Sequence, residues 1–172
     1  MRRQITVNKA DRGPDDFWSN IGLSEIEIYG EESDIEAAEN KNHVNAAGVT
    51  AEASTTEASS LPVSNIKDGN NQTRWASDYS EASKQTVTVT FPKVTLVKEL
   101  DFDLHTRDVA PMPSNVKSFD LVYADAAGTE HTVKISNAKS TESGKTGYVT
   151  NVQHIFETPV YMKSFKMTNF DL

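Results

Sequence analysis

The sequence predicts an all-β protein, an antiparallel β-sandwich or jelly roll, and three observations support this prediction. Apolar and polar residues alternate in about eight short runs, which is the pattern of half-buried strands. Turn-forming residues separate these runs, as in the segment Asp125–Gly128. No stretch shows a convincing pattern for a core helix, so the strands must pack against one another.

Length, composition and charge exclude several classes of protein. The chain has 172 residues, which is enough for one domain with a sizeable core. Its net charge of −8 argues against nucleic acid and anionic membranes as partners, because both require a basic surface. It has no cysteine, which excludes disulfides, thiolate metal sites and a cysteine nucleophile. No apolar run reaches the roughly 18 residues of a membrane span.

Residues 1–30 are predicted to form strands, and residues 31–43 a linker. Arg3–Val7 and Gly22–Gly30 both alternate, and Gly30 is expected to close the second strand. The two faces of that strand differ in polarity, with Ile26 and Ile28 on one and Glu25, Glu27 and Tyr29 on the other. Residues 31–43 hold five acids, which suits a solvated acidic linker or a short helix.

Residues 44–172 are predicted to form the main β-sandwich module. Residues 44–64 are rich in Ala, Ser and Thr and are expected to be extended or looped. Pro92 is expected to end the first strand of the regular part, and Asp101 and Asp103 are expected on a solvated strand face. The regular runs are Gln85–Phe91, Val97–Leu104, Val116–Tyr123, His131–Ile135, Tyr148–Phe156 and Tyr161–Phe170.

A polar loop around Gly69 predicts a cation site. Asp68, Asn70 and Thr73 supply short oxygen-bearing side chains, and the loop carbonyls add further donors for a hard ion such as Ca²⁺. Gly69 permits the positive φ of a tight bend, and Trp75 is large enough to pin the loop to a core. An ordinary turn rich in Asp and Asn is the alternative interpretation.

Catalytic patterns are poorly represented. The four histidines show no metal-ligand spacing, and no nucleophile elbow or phosphate loop is present. Carboxylate pairs such as Asp101 and Asp103 leave a glycosidase fragment as an alternative, although such pairs on strands are usually surface residues. The triplet Asn71–Thr73 is a formal glycosylation sequon, which we discount.

Four stretches resemble discoidin or coagulation-factor type C domains: N-I-K-D-G-N-N-Q-T-R-W-A-S, T-V-T-V-T-F, L-H-T-R-D and V-K-S-F-D-L-V-Y-A-D-A-A-G. Within this group the chain is most similar to family 32 carbohydrate-binding modules of bacterial glycoside hydrolases. The resemblance covers residues 44–170. It implies a galactose-binding-like jelly roll, a structural calcium in the polar loop, and a shallow sugar site at one end of the sandwich.

The order of the motifs departs from that of the family. The stretch L-S-E-I-E-I-Y-G resembles the family's closing strand, yet it precedes the rest of the module. Residues 1–30 therefore either complete this sandwich or belong to a preceding module, and we favour completion because a missing strand exposes an edge. The resemblance then implies that Glu25 and the Ser24 carbonyl join Asp68, Asn70 and Thr73 around the ion. The carbonyl of Lys67 or Asn65 would complete the shell.

A sugar site is expected where a strand opens into a loop at His105 and Arg107. Their donors suit pyranose hydroxyls, and family members often place such residues here. Tyr79 or Tyr148 would supply the aromatic platform that sugar C–H groups require. Alternatively, Arg107 pairs with Asp108 or Asp78 and His105 only caps the strand.

These expectations define a non-catalytic module that binds a galactose- or N-acetylhexosamine-type glycan. It would serve a larger extracellular or cell-surface bacterial glycoside hydrolase, with the glycan and the other domains as its partners. An adhesion or spacer module of the same fold, without a sugar site, is the alternative.

Overall fold

The computed structural model describes residues 7–9, 21–32, 41–42, 44–78, 80–107, 115–138 and 146–172. Within these ranges the side chains of residues 7–9, 30–32, 41, 106–107 and 146–148 are not described. The strands are β1 (Val7–Lys9), β2 (Ile21–Glu32), β3 (Lys41–Asn42), β4 (Thr50–Ala53), β5 (Trp75–Ala76), β6 (Val87–Arg107), β7 (Ser118–Asp125), β8 (Glu130–Ser136) and β9 (Thr146–Asp171). Short 3-10 helices span Val63–Lys67 and Ala82–Lys84.

Two long strands, β6 and β9, organise the sheet. They contain 21 and 26 residues and pair antiparallel, from Val87 opposite Met167 to Arg107 opposite Thr146. The first part of β6 also pairs with β4, whereas the part after Thr95 pairs with β2. The last part of β9 pairs with β7, which in turn pairs with β8. One continuous hydrogen-bonded ladder therefore joins two sets of strands.

The two sets face each other across an apolar core. Phe102, on the part of β6 that pairs with β2, packs edge-on against Phe119 of β7, with ring centroids 5.1 Å apart. The Phe102 ring also meets that of Phe165 on β9 at 6.5 Å. All three side chains are at most 1% exposed, and edge-to-face aromatic pairs add to the stability gained by their burial. The predicted all-β antiparallel sandwich is confirmed.

Pro92 does not end a strand as the sequence suggested, because β6 continues from Val87 to Arg107. The proline lies where the β6–β9 register shifts, between Thr90 and Thr95. A residue without an N–H costs no ladder hydrogen bond at such an irregularity. The two runs expected in residues 148–170 are likewise joined in β9.

The N-terminal strand lies within the same sheet as the rest of the chain. β2 pairs antiparallel with β6, from Leu23 opposite Leu104 to Glu32 opposite Thr95, and β1 pairs with both strands. Gly30 does not close β2, which runs on to Glu32. Lys41 and Asn42 of the expected linker form β3 and pair back with Gly30 and Tyr29. Residues 1–6, 10–20, 33–40 and 43 lie outside the described part of the chain.

The hairpin between β7 and β8 is fixed by one carboxylate. Asp125 Oδ1 accepts hydrogen bonds from the N–H groups of Ala127 (2.9 Å) and Thr129 (3.0 Å). Gly128 adopts a φ of 82°, which a residue with a side chain rarely adopts. The other oxygen, Oδ2, lies 2.9 Å from His131 Nε2. This turn sets the position of β8 at the edge of the sheet.

Candidate functional site

The polar loop forms two successive turns closed by side chains. Asp68 Oδ1 accepts a hydrogen bond from the Asn70 N–H at 2.8 Å, and Asn70 Oδ1 accepts one from the Gln72 N–H at 3.1 Å. Gly69 has a φ of 75°, as the sequence predicted for this bend. The Thr73 hydroxyl lies 2.8 Å from both Asp68 Oδ2 and the Asn70 carbonyl, and has one proton to donate. The Asp68 carboxylate, the Asn70 carbonyl and the Thr73 hydroxyl therefore lie together at this turn, while the Asn70 side chain bonds the Gln72 N–H.

Trp75 anchors the loop in the core. Its side chain is fully buried, and its Nε1–H donates to the Thr55 carbonyl at 3.0 Å. Asn65 Nδ2 donates to the Arg74 carbonyl at 2.8 Å and closes the base of the loop. Indole burial supplies most of the apolar stabilisation here, while the N–H bond fixes the ring orientation. The predicted role of Trp75 as a core anchor agrees with this arrangement.

Hydrogen bonds also tie the end of the loop to β2. Ala76 of β5 pairs with Gly22, and the Ile21 N–H donates to Ser77 Oγ at 2.6 Å. Both Ile21 and Ser77 are fully buried. A register shift between Leu23 and Ile26 marks a bulge in β2 directly after this contact. Bulges re-aim side chains, and this one contains Ser24 and Glu25.

Glu25 of the bulge meets the loop. The Gly69 N–H donates to Glu25 Oε1 at 3.2 Å and to Oε2 at 3.1 Å. Burial of this side chain, which is 2% exposed, raises the pKa of its carboxyl to about 8. The Gly69 hydrogen bond opposes that rise, whereas the negative charges of Asp68 and Glu27 add to it. Two carboxylates, Glu25 and Asp68, thus approach the same loop.

The donor set fits a hard divalent cation. Carboxylate, hydroxyl and carbonyl oxygens converge around Gly69, which are the ligand types that Ca²⁺ prefers. The Ser24 hydroxyl, next to Glu25 in the β2 bulge, is buried without a hydrogen-bond partner, and Lys67 directly precedes Asp68. Within the described residues no three His, Asp or Glu side chains form a metal cluster. A cation here would consequently depend on backbone and hydroxyl oxygens as well as on Glu25 and Asp68.

Three further acids on the outer side of β2 and β6 are buried, so the expectation of a solvated face is wrong. Glu27, Asp101 and Asp103 are exposed by only 1%, 3% and 1%. Asp103 Oδ1 accepts a hydrogen bond from Asn151 Nδ2 at 3.1 Å. Burial raises the pKa of the Asp103 carboxyl to about 8. The hydrogen bond from Asn151 lowers this pKa, whereas the negative charges of Glu27, Asp101 and Glu25 raise it further. Strand alternation showed only that these side chains point away from the apolar core, and it does not tell whether that face is exposed to solvent.

Three of the four predicted sugar-site residues, His105, Arg107 and Tyr148, lie at one end of the β6–β9 ladder. His105 is half-buried and pairs with Val149, and the backbones of Arg107 and Tyr148 pair with Thr146 and Thr106. The side chains of Arg107 and Tyr148 and the whole of Tyr79 lie outside the described residues. Their convergence on a ligand, like the alternative ion pairs of Arg107, stays a prediction.

Gln85 is a buried residue of this region that the sequence did not indicate. Its Oε1 accepts hydrogen bonds from the hydroxyls of Ser54 (2.7 Å) and Thr55 (2.6 Å), and its side chain is 2% exposed. The Gln85 Nε2–H donates to the Ser80 hydroxyl oxygen, and that hydroxyl in turn donates to Asp78 Oδ1. This network fixes both residues that flank position 79. A single glutamine in a polar stretch gives no periodic signal that would identify it.

The fold and the polar loop around Gly69 define a β-sandwich module in which a loop rich in oxygen donors contacts strand β2. The chain belongs to the F5/8 type C domain family, whose model matches residues 50–171. The predicted resemblance to discoidin or coagulation-factor type C domains is confirmed by this match. A comparison with curated proteins gives no significant match.

Two solved structures from Clostridium perfringens share the fold. The first is the family 32 carbohydrate-binding module of NanJ in complex with galactose, with 19% identity and a TM-score of 0.53. The match covers 74% of this chain and 86% of that module. The second is the module CBM32-1 of a family 31 glycoside hydrolase, with 19% identity, a TM-score of 0.51, and coverage of 73% and 84%. Among the described residues no helix is long and apolar enough to cross a membrane.

Proposed function

We propose that the chain is a non-catalytic carbohydrate-binding module. The observation that carries this proposal is the fold match to two family 32 modules, one of which is in complex with galactose. Membership of the F5/8 type C family over residues 50–171 supports it. The ligand class is a galactose- or N-acetylhexosamine-type glycan.

The proposed ligand site is the rim formed by His105 and Arg107 with an aromatic ring from Tyr79 or Tyr148. His105 and Arg107 are two residues apart on β6, and the cross-strand partners of β9 bring Tyr148 to the same end of the ladder. The proposed site requires that alternation along β6, which would direct residues 105 and 107 to one side, is kept across the shift of the β6–β9 register between Thr106 and Arg107. The imidazole and guanidinium donors would bind sugar hydroxyls, while an aromatic face would cover sugar C–H groups.

We assign a structural role to Ca²⁺ in the polar loop. Asp68, Asn70, Thr73 and Glu25 would hold the ion, with the carbonyls of Ser24 and Lys67 as further donors. Bound Ca²⁺ would supply the positive charge that offsets the repulsion of two nearby carboxylates. The Gly69–Glu25 hydrogen bonds support this assignment because they bring β2 to the loop. In this proposal residues 1–30 complete the sandwich of residues 44–172.

The proposed setting is a larger extracellular or cell-surface bacterial glycoside hydrolase. Both similar modules come from Clostridium perfringens, and one of them is part of a family 31 glycoside hydrolase. Weak binding of one sugar by one module becomes useful when several modules act together on a polymeric glycan. The partners would therefore be the glycan and the other domains of the parent protein.

A glycan array probed with the isolated chain tests the function. Binding confined to glycans that present terminal galactose or N-acetylhexosamine is the expected result. Binding to no glycan at millimolar sugar concentration, by a correctly folded and calcium-loaded chain, would contradict the proposal. That outcome favours the second candidate, an adhesion or spacer module of the same family.

A further inference from the structure

Within the described part of the chain, strand β8 forms an open edge of the sandwich. Among the strands that the structure describes, β8 pairs with β7 alone. Its residues Glu130, His131, Thr132, Lys134 and Ser136 are all exposed. Unpaired backbone groups on an exposed edge are a template for another strand. A specific pairing also requires backbone groups and side chains of β8 that match those of the partner strand.

The hydrogen bonds at the two ends of the β7–β8 ladder show which backbone groups face the open edge. The Asp125 N–H donates to the Thr129 carbonyl at 3.0 Å, and the Asn137 N–H donates to the Lys117 carbonyl at 2.8 Å. The register between these ends is continuous, and in an antiparallel ladder the bonded residues alternate along the strand. Odd-numbered residues of β8 therefore bond β7. The even-numbered residues direct their N–H and C=O groups to the open edge: Glu130, Thr132, Lys134 and Ser136.

The charges along this edge are complementary to themselves. An antiparallel pair of two β8 strands centred on Thr132 places Glu130 of each copy opposite Lys134 of the other. Two-fold symmetry forms this Glu–Lys pair twice, on one face of the joined sheets. Within the described part of the chain neither Glu130 nor Lys134 takes part in an ion pair, so both charges are available.

Neighbouring registers lack this complementarity. A pair centred on Val133 opposes Thr132 with Lys134 and Glu130 with Ser136, so no opposite charges meet. A pair centred on Lys134 places two ammonium groups directly opposite each other, which destabilises a sheet. All three registers pair even-numbered residues with even-numbered ones, so the backbone groups that face the edge can bond in each of them. Among these registers, charge selects the one centred on Thr132.

We propose that two copies of this chain associate through their β8 strands, antiparallel and centred on Thr132. The continuous sheet across the dimer places two glycan sites on one particle. The interface is small and consists mainly of backbone hydrogen bonds with two ion pairs, so the dimer is weak and dissociates on dilution. Two sites on one particle bind a branched or polymeric glycan more tightly than one site does.

Sedimentation equilibrium of the full chain over a wide concentration range tests the proposal. Either single reversal, Glu130→Lys or Lys134→Glu, places two like-charged pairs in the interface and weakens the dimer by about tenfold. The double variant Glu130→Lys/Lys134→Glu restores opposite charges and returns the dissociation constant to the wild-type value. Lys84→Glu is the matched control, because it alters an exposed side chain of the 3-10 helix Ala82–Lys84.

Thr132→Pro is an independent test. The Thr132 N–H faces the open edge, so a proline there removes no hydrogen bond to β7. The expected result is a monomer whose melting temperature equals that of the wild type. A monomeric wild-type chain at millimolar concentration would overturn the proposal. A dimer that persists in Thr132→Pro, or that the double charge reversal does not restore, would place the contact elsewhere.

Discussion

The backbone N–H of Gly69 donates to both carboxylate oxygens of Glu25, at 3.2 and 3.1 Å, across 44 positions of the sequence. This contact joins a bulge in an N-terminal strand to a loop of the main module. It brings a second carboxylate to the turn that Asp68 closes, in a buried environment where a free charge is costly. The proposed calcium site and its pH dependence both derive from this contact.

Calcium should stabilise the fold through Glu25. At a calcium concentration about 100 times the dissociation constant, the expected gain in unfolding free energy is about 2.7 kcal/mol. For a chain of this size that gain corresponds to a rise of roughly 5–10 °C in melting temperature. Glu25→Gln should abolish most of the difference between calcium-loaded and EDTA-treated protein, as measured by thermal unfolding.

Asp103→Asn is the control for this experiment, because Asp103 is another buried carboxyl that is not assigned to the ion. It should retain the full calcium-dependent rise. An equal loss of calcium stabilisation in both variants would show that the buried negative charge, and not ligation by Glu25, governs the effect.

Without calcium, the unfolding free energy should fall as the pH rises from about 4 to 8. The pKa values of Glu25 and Asp103 are raised to about 8 in the fold, from 4.5 and 3.8. The folded chain therefore holds these protons while the unfolded chain has lost them, and the resulting stability is fully present below the ordinary values and is lost above pH 8. Each carboxyl should contribute at most about 5 kcal/mol to this decline, measured by urea unfolding across this range.

Single variants separate the two contributions to this pH profile. Glu25→Gln and Asp103→Asn should each reduce the fall in unfolding free energy between about pH 4 and 8. Calcium should remove only the share of that fall that is due to Glu25. A free energy that stays constant or rises between pH 5 and 8 in calcium-free buffer would contradict the prediction.

Glycan binding should depend on His105 and Arg107. Each replacement by alanine should cost about 1.5–3 kcal/mol if it removes a hydrogen bond to a charged group, which is roughly a 10- to 150-fold loss of affinity. Isothermal titration with galactose or N-acetylgalactosamine provides the measurement. His131→Ala is a matched control on β8, and its affinity should equal that of the wild type. Unchanged affinity in both His105→Ala and Arg107→Ala would move the site elsewhere.

Trp75 should stabilise the calcium loop as well as the core. Trp75→Ala should cost about 3–5 kcal/mol of unfolding free energy, because it leaves a large cavity. The same variant should lower calcium affinity, since the indole N–H bond to Thr55 fixes the end of the loop. Phe119→Leu is the comparison, a core change on β7, which among the described strands pairs with β8 and β9 and not with β2; it should reduce stability without altering calcium affinity. Calorimetry and calcium titration together distinguish these outcomes.

The strands and the core anchor could be predicted from the sequence because their signals are local. Alternation identified the inward residues Ile26, Phe102 and Phe119, and size alone indicated that Trp75 is buried. The burial of Asp101 and Asp103 could not be predicted, since alternation gives the direction of a side chain and not its exposure. The Asn151 that hydrogen-bonds Asp103 lies 48 positions away in the sequence. The same limit applies to Gln85, whose partners Ser54 and Thr55 lie about 30 positions away. Pro92 misled the strand assignment because a register shift is a property of the paired strands, not of one strand.

β6 and β9 belong to both sets of strands, and this continuity should make the two halves of the sandwich unfold together. β6 is covalently continuous from the region that pairs with β4 to the region that pairs with β2. β9 pairs with both of these regions of β6, and its last part also pairs with β7. One half of the sandwich cannot detach while the other keeps its partners in register. Amide hydrogens of Val89 and Phe102, in the two halves of β6, should therefore exchange with solvent at one common free energy, because they are released in the same cooperative event.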